Sequence, residues 1–181
     1  MISIIIPVYN SQETIKDLVH EIIKTLNQKY KFEIVLVNDA SKDNSEKLCI
    51  ELTNKFDFVN FLSLSKNFGE HNAVMAGLNN CNGDYAVIMD DDMQHTSDAL
   101  LKLIDIGIKE KNNYDVIYTN FKKKKQNFFR NLGSKLNDIA ANLILKKSKE
   151  LYLSSFKFIN KFFKNEIIKY KSPYVYIDGI I

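Results

Sequence analysis

The residues able to do chemistry concentrate in one stretch. In Gly83-Asp84-Tyr85-Ala86-Val87-Ile88-Met89-Asp90-Asp91-Asp92-Met93-Gln94-His95 an apolar run ends in three consecutive carboxylates, an amide and an imidazole. Three adjacent negative charges repel one another, and each gains from protonation unless something positive sits among them. Hard oxygen ligands clustered this way suit Mg²⁺ or Mn²⁺, ions typically shared with substrate phosphates. In an α/β sheet the carboxyl end of a strand is also where ligands collect. The competing reading is helix capping, since Thr96-Ser97-Asp98 opens a helix-like stretch immediately afterwards. Capping explains one carboxylate and leaves the other two without a reason.

Other segments end strand-like runs in a similar way. Pro7-Val8-Tyr9-Asn10 follows the first; a proline closes a strand without losing a needed N–H, and Tyr9 offers a flat face to a nucleobase or simply packs. Val37-Asn38-Asp39-Ala40-Ser41 ends the second, where Asp39 is placed to accept from a base N–H, or to serve as a turn residue with Ser41 and Asp43 capping the next helix. Lys66-Asn67-Phe68-Gly69-Glu70-His71-Asn72 follows the third and supplies Lys66 to a phosphate, with backbone amides at a helix N-terminus. No G-x-G-x-x-G or G-x-x-x-x-G-K-[ST] occurs, so dinucleotide and P-loop readings fail. No nucleophile elbow is present; His20, His71 and His95 are too scattered for zinc, and Cys49 and Cys81 read as core residues in a reduced cytosolic setting.

These segments need a scaffold. Over residues 1–119 strand-like runs (Ile2–Ile6, Glu33–Val37, Phe58–Leu64, Tyr85–Met89, Asp115–Tyr118) alternate with amphipathic stretches (Gln12–Asn27, Asn44–Phe56, His71–Cys81, Ser97–Glu110). That alternation predicts an α/β fold, a mainly parallel Rossmann-like sheet with helices on both faces. Beyond residue 120 the sequence predicts a helix from Asn127 to about Leu145, a strand at Tyr152–Phe156, a helix at Phe158–Tyr170 and a short strand at Tyr174–Ile177. The 181 residues make one ordinary domain of two regions. Residues 1–119 hold 11 Lys and Arg against 18 Asp and Glu, a net −7; residues 120–181 hold 14 against 4, a net +10. The second region thus faces something anionic, membrane lipid or a phosphate-bearing acceptor, or presents a solvated lysine surface. Nucleic acid is disfavoured, because no recognition helix, stacking motif or zinc module accompanies the charge. The apolar stripe through Phe128, Leu132, Leu136 and Leu143 packs on a core or lies at a membrane interface. Lysine occurs 24 times and arginine once, at Arg130, which hints at a position where a planar bidentate fork is needed or is a matter of chance.

The ordered series Ile4-Ile5-Ile6-Pro7-Val8-Tyr9-Asn10, Val37-Asn38-Asp39-Ala40-Ser41, Asn67-Phe68-Gly69, Gly83-Asp84-Tyr85 and Asp90-Asp91-Asp92-Met93-Gln94-His95 resembles family 2 glycosyltransferases of the GT-A fold. Within them the likeness is to polyprenyl-phosphate sugar transferases, the dolichyl-phosphate mannose synthase-like group; Arg130-Asn131-Leu132-Gly133-Ser134 and Tyr174-Val175-Tyr176-Ile177-Asp178-Gly179 continue it. The resemblance implies that Pro7, Val8, Tyr9 and Asp39 hold the nucleotide base and that Asp90 and Asp91 face ribose and diphosphate. It implies Asp92 and Gln94, with Asp90, as ligands of Mg²⁺ or Mn²⁺, and Arg130 and Ser134 as receivers of the lipid phosphate. Asp90, Asp92 and Arg130 would then be catalytic. Asn38 and Ala40 depart from the usual Asp-Asp-Gly-Ser, Ser11 stands where many relatives carry Glu, and Lys157 replaces a common Arg, so it would bind a phosphate less rigidly.

The implied reaction moves a sugar from a nucleotide-diphosphate sugar, with Asp39 leaning to UDP, to polyprenyl phosphate, with inversion and at the cytoplasmic face of a membrane. Relatives continue into C-terminal transmembrane helices, and the apolar text at Gly179-Ile180-Ile181 reads as a truncation before them. A soluble transferase acting on a sugar hydroxyl is the alternative. It needs a carboxylate base, and of the four acids after residue 120 (Asp138, Glu150, Glu166, Asp178) Asp178 is the one able to overturn the phosphate reading. An inactive nucleotide-sugar-binding module and, more distantly, a Mg²⁺-dependent nucleotidyltransferase complete the set.

Overall fold

The structure, a computed structural model, describes residues 1–119, 153–172 and 175–180. Six strands form one sheet in the order β3-β2-β1-β4-β6-β5, with β1 Ile2–Val8, β2 Phe32–Asn38, β3 Val59–Ser63, β4 Tyr85–Ile88, β5 Val116–Tyr118 and β6 Lys157–Ile159. β1 to β4 pair in parallel, and β6 runs antiparallel to both β4 and β5. The sheet is therefore mainly parallel, as the alternation predicts. Its one reversed strand comes from the basic second region and is inserted between two strands of the first.

Helices cover both faces. Along β1, Ile4 and Ile6 point to one face, where α1 (Ile15–Leu26), α2 (Ser45–Lys55) and α4 (Ser97–Lys109) bring Leu18, Ile22, Leu52, Leu103 and Ile104 against them. Ile5 points to the other, onto Val74 and Leu78 of α3 (Glu70–Asn80) and near Ile167 of the helix Lys161–Ile167. Strands buried on both faces read as unbroken apolar runs, as β1 and β2 do. Pro7 lies inside β1, a central strand, without harm: β4 pairs only with Ile2 to Ile5, so no ladder partner on that side awaits the missing N–H.

Four elements differ from the sequence expectations. β6 falls at Lys157–Ile159, later than Tyr152–Phe156, and the next helix begins at Lys161 instead of Phe158. Asn160 sets this boundary: its side chain accepts from Phe163 N at 2.8 Å, capping the helix, while Phe158 stays on the strand, fully buried and stacked on Tyr85 at 5.5 Å. Where a strand was expected at Tyr174–Ile177, a short helix runs over Ile177–Ile180, its turn closed by bonds from Gly179 N and Ile180 N to Tyr176 O. α1 starts three residues late, after a turn in which Thr14 N and Ile15 N both donate to Ser11 O. The expected helix over Asn127–Leu145 lies outside the described residues.

The amino ends of the strands are pinned by a buried carboxylate. Glu33, 5% exposed on β2, accepts from Ser3 Oγ (2.6 Å), Asn60 Nδ2 (3.0 Å), Asn82 N (2.5 Å), Asn82 Nδ2 (3.0 Å) and Gly83 N (3.1 Å). A Cβ on Gly83 would lie 2.4 Å from Ser3 Oγ and 2.7 Å from Ser3 N, so only glycine lets the chain enter β4 this closely. Burial alone raises the Glu33 pKa, yet the donors outweigh it and hold the carboxyl below its ordinary value. A depressed folded pKa contributes stability in full above the unfolded value of about 4.3 and loses it as pH falls through the folded one. Glu33→Gln should therefore cost about 1–3 kcal/mol in denaturant unfolding at pH 7, because its amide meets backbone donors. The same variant should show a shallower loss of stability than the parent below about pH 4.3.

Candidate functional site

At the opposite end, the loops leaving the carboxyl ends of β1, β2, β3 and β4 form a cleft of about 410 Å³. Among the described residues four have positive φ, and each of these loops holds one: Asn10 (55°), Ala40 (56°), Gly69 (87°) and Met93 (59°). Left-handed backbone at three non-glycine positions costs free energy that the surrounding contacts must offset, and such strain clusters where ligands bind.

The three aspartates do not act as one cluster. Asp91 turns toward the loop after β1: Tyr9 N donates to Oδ2 at 3.1 Å, Ser11 Oγ donates to the same oxygen, and Thr14 Oγ1 donates to its carbonyl at 2.6 Å. Asp90 turns the other way, where its Oδ2 accepts from Ser155 Oγ and lies 3.3 Å from His95 Nε2. His95 is in turn stacked on Phe156, centroids 4.3 Å apart. Asp92 is exposed and, among the described residues, accepts only from Gln94 N, at 3.0 Å. Helix capping is not the reason for any of them, because Thr96 caps α4.

The environments drive the adjacent acids apart. Burial raises both, but the bonds from His95 and Ser155, with the charges of His95 and Lys157, bring Asp90 below the ordinary carboxylate value. For Asp91 burial prevails over the Ser11 and Tyr9 bonds, helped by the negative charge of Asp90, and its pKa is raised.

The other expected residues are placed as follows. Pro7, Val8 and Tyr9 line the cleft; Val8 is fully buried and forms wall, whereas Tyr9 is exposed. Asp39 lines it too, 3% exposed, with Oδ1 taking Phe68 N (2.7 Å) and Oδ2 taking Gly69 N (2.8 Å), so it fixes the loop after β3. Lys66 is exposed, its ammonium 5.0 Å from the Phe68 ring centroid. Gln94 is exposed beside Asp92. Lys157 is 3% exposed and ion-paired with Asp178, whose Oδ1 also accepts from Tyr118 OH at 3.0 Å. Arg130 and Ser134 lie outside the described residues. Ser11, Thr14, His95 and Ser155, which hold the aspartates, carried no local signal, since Ser11 and Ser155 lie 80 and 65 residues from their partners.

Among the described residues no three His, Cys, Asp or Glu side chains converge as a closed cation cage. Mg²⁺ or Mn²⁺ does not need one: such ions are held by one or two carboxylates together with substrate phosphates and water. Asp92, open to the cleft with one oxygen uncommitted among the described residues, fits that use.

The sequence profile described as glycosyl transferase family 2 matches residues 3–174, and the chain belongs to that family. It is 34% identical over 137 residues to the undecaprenyl-phosphate 4-deoxy-4-formamido-L-arabinose transferase of Proteus mirabilis, covering 75% of this chain and 41% of that one. A Pseudomonas fluorescens protein of the same name is 31% identical over 169 residues, 92% of this chain and 48% of its own. The chain thus spans less than half the length of these relatives. Similar solved structures include Staphylococcus aureus TarS 1–349 in complex with UDP-GlcNAc (TM-score 0.62, 20% identity, 92% of this chain and 47% of that one). Another is Mycobacterium tuberculosis glucosyl-3-phosphoglycerate synthase with Mn²⁺, UDP-glucose and phosphoglyceric acid (TM-score 0.65, 13% identity, 89% and 56%). At these identities the likeness establishes the fold, which is GT-A.

Two substitutions test the loop geometry. Ala40→Gly should stabilise the chain by about 0.5–1 kcal/mol, the ~1–2 of a left-handed alanine less the ~0.4–1 of added unfolded-state entropy, read from denaturant midpoints. Asp39→Ala removes the acceptor of two amides and should cost about 1.5–3 kcal/mol, with hydrogen exchange at Phe68 and Gly69 accelerating more than in the sheet.

Proposed function

We propose that this family 2 chain carries the donor-binding and reacting part of an enzyme that moves a sugar from a UDP-sugar to polyprenyl phosphate, with inversion at the anomeric carbon. The observation that carries the reading is the division of labour at the end of β4: all three aspartates line the cleft, but Asp91 has Oδ2 tied to the loop after β1, Asp90 is turned to Ser155 and His95, and Asp92 is left open. The names of the relatives supply the acceptor class, and the UDP ligands of the structural neighbours supply the donor class.

The chain's residues would act in order along the cleft. Tyr9 and the wall of Pro7 and Val8 take the base, and Asp39 holds the facing loop in place. Asp90, kept ionised by Ser155 and His95, sets the polar floor under the glycosyl diphosphate. Asp92, with Gln94 beside it, would hold Mg²⁺ or Mn²⁺. Such an ion supplies Lewis-acid stabilisation of charge on a leaving diphosphate, worth several kcal/mol. A phosphate oxygen of the acceptor attacks the anomeric carbon from the face opposite the diphosphate; the bond from carbon to diphosphate oxygen breaks, and UDP leaves with that electron pair. A phosphate monoester has its second pKa near ~6, so it arrives ionised and needs no general base. Positioning it falls to Arg130 and Ser134.

The hydroxyl-acceptor alternative needs a carboxylate base, and Asp178, 12% exposed with Oδ1 held by the Lys157 ammonium and the Tyr118 hydroxyl, is the residue it would use; the names of the relatives favour the phosphate acceptor. The test is transfer from a panel of UDP-sugars to undecaprenyl phosphate in detergent, with the glycolipid read by mass spectrometry. Product should form with Mn²⁺ or Mg²⁺, vanish with EDTA, and fall at least ~100-fold in Asp92→Ala, matching a loss of about 3 kcal/mol. Glycosylation of a free sugar hydroxyl with none of the lipid phosphate would refute the acceptor assignment.

A further inference from the structure

A second cavity, of about 200 Å³, opens beside the donor cleft, and Glu70 and Ser155 line both. Its remaining polar lining is His71, Lys157 and Asp178; Val74, Ile88 and Ile177 close it with apolar surface. Lys157 is the cation among these lining residues, and its ammonium is already paired with Asp178. Asp178 takes both of its bonds, from Lys157 and Tyr118, on Oδ1; among the described residues Oδ2 accepts none. Burial pushes the His71 imidazole below its ordinary value, against the pull of Asp178, and its ring packs edge-on against Tyr176 at 5.1 Å. Glu70, the first residue of α3, has no cationic partner among the described residues.

Among the described residues the cavity therefore offers acceptors, one carboxylate at its mouth and one carboxylate oxygen at its back, and no uncommitted positive charge. A phosphate or carboxylate entering it would meet net negative charge, whereas a group rich in O–H or N–H donors would satisfy both oxygens. Its contiguity with the cleft puts it where a group attached to the diphosphate reaches.

We propose that this cavity receives the glycosyl group of the donor and that Glu70 is a specificity-determining residue, favouring sugars with hydroxyl or cationic amino substituents and rejecting sugars that carry a carboxylate. The inference rests on the donor-cleft reading above. It also assigns Lys157 to holding Asp178 in place, a positioning role in the sugar pocket, instead of to the acceptor phosphate.

The test is isothermal titration of UDP, UDP-glucose, UDP-glucosamine and UDP-glucuronate, each with Mn²⁺, into the chain and into Glu70→Gln and Glu70→Lys. The quantity read is each sugar nucleotide's affinity relative to UDP in the same protein. In the parent chain it should decrease from the amine to the neutral sugar to the uronate, with at least ~10-fold between the extremes, or about 1.4 kcal/mol. Glu70→Gln should compress that span to within about threefold, and Glu70→Lys should invert it. A uronate bound as well as the amine by the parent chain, or an unchanged order in folded variants, overturns the inference while UDP binding keeps the donor cleft intact. Absence of UDP binding by the folded parent chain overturns the donor-cleft reading and this inference with it.

Discussion

The site depends on one carboxylate that binds the protein to itself. Asp91 ties the loop after β4 to the loop after β1 through Tyr9 N and Ser11 Oγ, and Thr14 fastens its carbonyl. Without that knot three adjacent charges would compete for one space and repel. With it, Asp91 faces one loop, Asp90 is drawn to Ser155 and His95 on the other side, and Asp92 is left at the opening. Ser11 matters here through its chemistry: a hydroxyl donates to Asp91, where a glutamate, common at this place in the family, would bring another negative charge.

The two ends of the sheet are built for opposite purposes. At the amino ends Glu33 gathers five donors around a carboxylate 5% exposed, and Gly83 packs against Ser3, so the strands are held in register by satisfied polar groups. At the carboxyl ends the backbone is forced into left-handed conformations at Asn10, Ala40 and Met93, and carboxylates are set where their pKa values diverge. A parallel sheet allows this, because every βα loop of β1 to β4 emerges on the same side.

Much of this was legible in the sequence. Strand and helix alternation fixed the fold class because each period is local: Leu18, Ile22 and Leu26 repeat at helical spacing and are buried together. The acidic run announced the site for the same reason. Its internal division was not legible, since the residues that divide it are far away in the chain, 80 residues for Ser11 and 65 for Ser155. His95 looked isolated because its partners are Asp90 and Phe156, brought together by β4 and the entry to β6. The later start of β6 has a local cause, the capping side chain of Asn160. Lys157 illustrates a limit of residue types: the family resemblance implied a phosphate ligand, and only the packing shows its ammonium buried against Asp178.

The most direct test of the central claim is a crystal structure of the chain with UDP and Mn²⁺. The uracil should lie against Tyr9 near Asp39, and the ion between the diphosphate and Asp92, with Asp91 still bonded to Tyr9 N and Ser11. Nucleotide bound elsewhere on the chain, or an ion held by Asp91 after release from Ser11, would contradict it.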